Sequence, residues 1–202
     1  MPDIRYVCLS DLHLGEEDGL LTNLRTAATE PDPTRPSLVL ERLVDCLRHL
    51  IPEAPGKPKP TLILNGDILE FALCEAQLAA MAFERLVELL VAPTPLFERI
   101  IHIPGNHDHH LWVSARDVQY ANYISSSSMS AEKRLPKPWR TTNAFLRPPA
   151  DPPVSSALLT ALASRHPGLP DPVVHTAYPN YGILSHDGSK CVLFHHGHFI
   201  EP

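Results

Sequence analysis

Thr61-Leu62-Ile63-Leu64-Asn65-Gly66-Asp67 is a short run of β-formers that turns abruptly polar. Its length, its aliphatic centre and the Gly-Asp that closes it predict a buried strand. Two other runs share the design. Ile4 to Leu9 leads into Ser10-Asp11-Leu12-His13-Leu14-Gly15, and Arg99 to Ile103 leads into Pro104-Gly105-Asn106-His107-Asp108. Helical patterns separate the three. Ser37 suits an N-cap, with Glu41 nearby, and Leu40, Leu43, Val44, Leu47 and Leu50 recur at three and four residues. A longer helix is expected from about Leu73 to Val91, with Leu78, Met81, Ala82, Leu86, Leu89 and Leu90 on its inner stripe, until Pro93 and Pro95 stop it. Strand–helix–strand–helix–strand is the signature of a parallel α/β core.

Outward from this core the chain is less regular. Residues 15–36 read as a long polar loop, and Pro52 to Pro60 as a connector. The serines 125–128 and the prolines at 148, 149, 152 and 153 suggest an irregular insertion, with a short helix from Ser155 to Arg165. Tyr181 to Leu184 and Cys191 to Phe194 flank His186-Asp187-Gly188-Ser189, a turn chemistry that predicts a hairpin. The chain is expected to form one catalytic domain over residues 1–202, with a cap or insertion at about 109–180. Trp112 and Trp139 in that insertion are read as stacking a base, contacting a lipid, or simply packing.

Composition restricts the function classes. The 202 residues suffice for one sizeable core. No apolar run reaches the roughly 18 residues of a membrane span. There is no secretory leader pattern, and the cysteines (Cys8, Cys46, Cys74, Cys191) form no CxxC pair. Buried free thiols and a cytoplasmic address are therefore expected. A net charge of -6 repels a phosphate backbone, so nucleic acid is not the expected partner. The basic stretch Lys133, Arg134, Lys137, Arg140 and Arg147 is read as a solvated loop. Nucleotide-binding, dehydrogenase, zinc-protease and serine-hydrolase motifs are all missing.

The twelve histidines point to metal chemistry. Each predicted strand ends in hard or borderline ligands: Asp11 and His13, then Asp67, then Asn106 and His107, and finally His196 after the hairpin. Parallel sheets gather ligands at the carboxyl ends of their strands. Asp11 and His13, two residues apart, would point the same way on an extended backbone. Gly66 and Gly105 stand where the backbone must turn sharply and come close. Asp, His and Asn together suit Mn, Fe, Zn or Co rather than a structural Cys-rich zinc site. His109 and His198 are candidates for substrate or supporting contacts, while His49, His102, His166, His175, His186 and His195 read as surface or satisfied core.

Taken together these motifs resemble the calcineurin-like metallophosphoesterases. Asp11-Leu12-His13 is similar to their first motif and Gly66-Asp67-Ile68-Leu69-Glu70 to their second. Gly105-Asn106-His107-Asp108 matches the third, and His196-Gly197-His198 resembles the fourth. The resemblance implies a four-layer αββα β-sandwich flanked by helices and two divalent metal ions, Mn foremost. It assigns Asp11 and His13 to the first metal, Asp67 to both, and Asn106 and His196 to the second. His107 would be the catalytic histidine and Asp108 the group that orients it.

The activity so implied is hydrolysis of phosphate esters or phosphoanhydrides, by a hydroxide bridging the metals, on a phosphorylated small-molecule or nucleotide-like substrate. The family's fifth motif, Gly-His-x-His, has no counterpart after His198, so the chain is expected to be truncated or naturally incomplete there. A non-catalytic metal-binding scaffold and a nuclease are the alternative readings. Gly-Asp-Ile-Leu-Glu-Phe is also similar to the second motif of UDP-diacylglucosamine pyrophosphatases, but their third motif has Arg where this chain has His107, and that activity is not carried over.

Overall fold

The computed structural model describes residues 4–22, 32–51, 56–126, 135 and 154–198. Three of the apolar runs become parallel neighbours: β1 (Tyr6–Leu9), β2 (Thr61–Asn65) and β3 (Arg99–Ile103). Tyr6 registers with Thr61 and Leu9 with Leu64, while Thr61 registers with Arg99 and Asn65 with Ile103. The central strand β2 is buried on both faces, as the unbroken apolar run Leu62-Ile63-Leu64 requires.

Two short strands complete this sheet. β4 (Val154–Ser155) pairs antiparallel with β5 (Val174–Thr176), and β5 lies parallel to β3, giving the order β1-β2-β3-β5-β4. Of the stretch 109–180 expected to form a cap, residues 154–155 and 174–176 thus belong to the main sheet. Within the same stretch Trp112 is buried and packs near Tyr178 at 5.6 Å. Ser125 and Ser126 lie in a helix rather than an irregular segment, and the expected short helix forms over Ala157–Ser164. The basic residues Lys133, Arg134, Lys137, Arg140 and Arg147, with Trp139, fall outside the described residues. β6 (Asn180–Leu184) and β7 (Cys191–His195) form the expected hairpin as a separate two-stranded sheet. It attaches to the end of β2 through Asn65, whose Nδ2 donates to the His195 carbonyl at 3.3 Å.

Four helices pack among the described residues. α1 (Leu38–Leu50) starts at Ser37, whose Oγ accepts from the Leu40 N–H at 3.1 Å, and buries Leu40, Val44 and Leu47. α2 (Ala76–Val91) buries Ala79, Phe83, Leu86, Val87 and Leu90 at helical spacing, and starts three residues later than expected. Residues 70–75 before it are occupied by a loop that Glu70 organises. α3 (His110–Ser126) buries only Leu111, Trp112, Ala115 and Arg116 near its start. α4 (Ala157–Ser164) is capped by Ser156 and joined to α2 by the Arg165–Glu84 ion pair.

The chain is therefore a mixed α/β protein with a parallel-rich sheet. No described helix is long and apolar enough to cross a membrane. No disulfide joins the cysteines, and three of them differ from expectation: Cys8, Cys46 and Cys191 are exposed rather than buried.

Candidate metal centre

Beyond β1 and β2 the two chains keep pairing through their loops. The N–H groups of Asp11, His13 and Leu14 donate to the carbonyls of Gly66 at 3.0 Å, Asp67 at 2.9 Å and Ile68 at 2.8 Å, and Glu70 N–H returns to the Leu14 carbonyl at 3.1 Å. Asp11, His13 and Asp67 adopt left-handed φ values of 54°, 43° and 50°. That conformation costs non-glycine residues on the order of 1–3 kcal/mol each. The extended backbone expected between Asp11 and His13 is thus absent. Their loop kinks, and the two side chains enter different clusters.

One cluster holds Asp11, Asp67 and His196; the other holds His13, Glu70 and His107. Within each, the ligand atoms lie within 4.8 Å of one another. His196 Nε2 stands 3.4 Å from both Asp11 Oδ1 and Asp67 Oδ2. His13 Nδ1 and His107 Nδ1 each lie 2.7 Å from Glu70 Oε2, and the two imidazoles meet edge-on at 4.9 Å. Asp67 links the clusters, because its Oδ1 accepts the His107 backbone N–H at 2.9 Å. Asn106 is exposed on the same loop, one residue before His107.

Glu70 is the residue that sequence reading left without a role, although Gly66-Asp67-Ile68-Leu69-Glu70 had been singled out. Its side chain is fully buried between the two imidazoles, and its Oε1 accepts the N–H groups of Ala72 and Leu73 at 3.1 and 2.9 Å. Burial pushes its carboxyl up, but the bonds from His107 and His13 outweigh this and leave its pKa lowered. The bond to Glu70 in turn raises the pKa of His107, against a smaller downward push from burial.

Asp108 does not orient His107. It faces the opposite way, into the protein, where Oδ1 accepts from Gly105 N–H at 2.7 Å and Oδ2 from Ile68 N–H at 3.0 Å, with Leu69 N–H at 3.5 Å and His102 Nε2 at 3.0 Å. Burial would raise its pKa, yet the His102 imidazole and these N–H donors hold it at about 2. Adjacent residues in a tight turn point apart, so closeness in sequence to His107 misled.

Two glycines allow the clusters to close. A Cβ at Gly66, where φ is +81°, would sit 2.2 Å from the His196 ring, and one at Gly105 would sit 2.0 Å from Asp67 Oδ1. Around the first cluster His196 Nδ1 lies 3.3 Å from His198 Nδ1. His109 packs on Tyr178 at 4.9 Å, and its ring stands 5.9 Å from that of His198. Burial, then the neighbouring His196 and His109, lower the His198 pKa.

The donor set fits divalent transition metals. Carboxylate oxygens and imidazole nitrogens converge on two small volumes, with no cysteine sulfur in either cluster. Unscreened, three gathered carboxylates repel one another, and cations between them would relieve that repulsion.

Loops after three parallel strands, joined by His196 from the end of the hairpin, thus gather two carboxylate–imidazole clusters on an α/β fold. The family model for calcineurin-like phosphoesterase matches residues 4–199, and the chain belongs to that family. Its members are in general phosphoesterase hydrolases that typically bind two divalent metals. No curated protein and no solved structure matches this chain.

Proposed function

We propose that this protein hydrolyses phosphate esters or phosphoanhydrides at a dinuclear metal centre. Asp67 carries the proposal, because its carboxylate reaches both ligand clusters: His196 through Oδ2 and the His107 loop through Oδ1. Asp11, His13, Asp67, Asn106 and His196 would together hold the two cations, with Asp11, Asp67 and His196 gathered at one cluster and His13 at the other. His13 offers Nε2 for this, since Nδ1 is turned to Glu70. Two divalent cations, Mn first and Fe, Zn or Co next, would bring a water's pKa towards about 7 and neutralise charge on the phosphoryl oxygens.

His107 protonates the leaving oxygen. Glu70 fixes its ring through Nδ1 and favours the charged imidazolium, which leaves Nε2–H to face the substrate. Proton donation of this kind is worth about 10²–10⁴ in rate. The substrate class is a phosphorylated small molecule or nucleotide-like compound, since a chain of net charge -6 disfavours long nucleic acid.

The test is metal content together with turnover of p-nitrophenyl phosphate and bis-p-nitrophenyl phosphate. Bound metal with turnover supports the hydrolase, and the ratio of the two rates reports monoesterase or diesterase chemistry. Metal held without turnover would sink it in favour of a binding scaffold. Asp67→Asn should lose the most metal and the most rate of any single ligand substitution.

A further inference from the structure

His102 is the fourth of the five residues of β3, in register with Leu64 on one side and Thr176 on the other. It is fully buried, and the neighbouring strand positions are Ile100, Ile101 and Ile103. An imidazole in that setting is costly unless it is hydrogen-bonded. Its Nε2 meets Asp108 Oδ2 at 3.0 Å, whereas Nδ1 has no hydrogen-bond partner among the described residues. The ring proton therefore belongs on Nε2, pointing at the carboxylate.

Asp108 then has four donors for the roughly four lone-pair sites of a carboxylate. Gly105 N–H comes from the loop that carries Asn106 and His107. Ile68 and Leu69 N–H come from the loop that carries Asp67. One carboxylate thus clips together the two loops on which the metal clusters depend. Of these four donors three are backbone N–H groups, and His102 Nε2 is the one that comes from a side chain.

We propose that His102 is a positioning residue for the metal centre. Acting through Asp108, it keeps the Asp67 and His107 loops at the spacing that the ligands need. This rests on the reading of the site as a metal centre.

Two substitutions separate the proposal from a simple packing role. His102→Gln places an amide N–H close to the Nε2 position, whereas His102→Asn ends short of it. Each folded protein is compared with the wild type for Mn²⁺ affinity by calorimetry, for kcat and KM, and for amide hydrogen exchange at Ile68, Leu69 and Gly105. His102→Asn is expected to weaken Mn²⁺ roughly 10–100-fold, to lower kcat more than KM changes, and to speed exchange at the three amides. His102→Gln is expected to recover most of each loss. The proposal is overturned if His102→Asn keeps wild-type Mn²⁺ affinity and amide protection, or if the two variants lose both equally. Should the wild type itself bind no Mn²⁺, the metal-centre reading fails, and the exchange data alone still decide whether His102 sets the clip.

Discussion

Glu70 shows how much one buried carboxylate can decide. It receives both His13 and His107, so its loss should unfasten a ligand and the proton donor together. Glu70→Gln is expected to lower kcat by about 10–100-fold, as loss of a supporting carboxylate typically does. It should also move the alkaline limb of the pH–rate profile to lower pH, because His107 loses the charge that raises its pKa. A limb that stays in place would show that His107 is not the group titrating. The same pair governs stability of the metal-free protein. His107, with its pKa raised above 6.5, stabilises fully below that value, and the effect fades as pH rises through the folded pKa. Glu70, with its pKa lowered below 4.5, stabilises above that value, and its effect fades as pH falls through the folded pKa. The difference in melting temperature between wild type and Glu70→Gln should therefore be greatest between pH 4.5 and 6.5. Sequence could place Glu70 in a motif but not choose it over Asp108, because only the fold shows which of the two turns towards His107.

Among the elements, loops matter more to the site than the strands that launch them. Gly105→Ala would drive a methyl group into Asp67, 2.0 Å from Oδ1 and 2.4 Å from its backbone nitrogen. Because the second of these is backbone, the loop must move, and metal affinity should drop more than tenfold while far-ultraviolet circular dichroism stays near wild type. Ser37→Ala is the contrasting case. It removes the α1 cap and should cost about 1 kcal/mol in urea unfolding, with turnover unchanged. Strands β1, β2, β3 and the β6–β7 hairpin were legible because each is an apolar run closed by a turn signal. β5 was not, since Val174-His175-Thr176 is three residues long and gains its identity only by pairing with β3. α3 was hidden for a different reason: after Arg116 it buries nothing further among the described residues, so no apolar stripe announces it.

For the molecule as a whole, the parallel core and the gathering of its ligand loops could be read in advance, while the way the loops kink could not. Left-handed backbone at Asp11, His13 and Asp67 has no local signature in these residue types, and long-range hydrogen bonds impose it. Cations binding only the folded state should stabilise it, by about 2.7 kcal/mol at a hundredfold excess over Kd. A Mn²⁺ titration of the melting temperature, reversed by a chelator, checks this; no shift would mean that the clusters hold no metal. The close fit of Gly66 beneath the His196 ring has a separate consequence. The hairpin arrives from more than a hundred residues downstream, yet it rests on a floor with room for a hydrogen and not for a methyl group. Any larger side chain at position 66 would therefore lift the His196 ring away from Asp11 and Asp67 while leaving the sheet below in place.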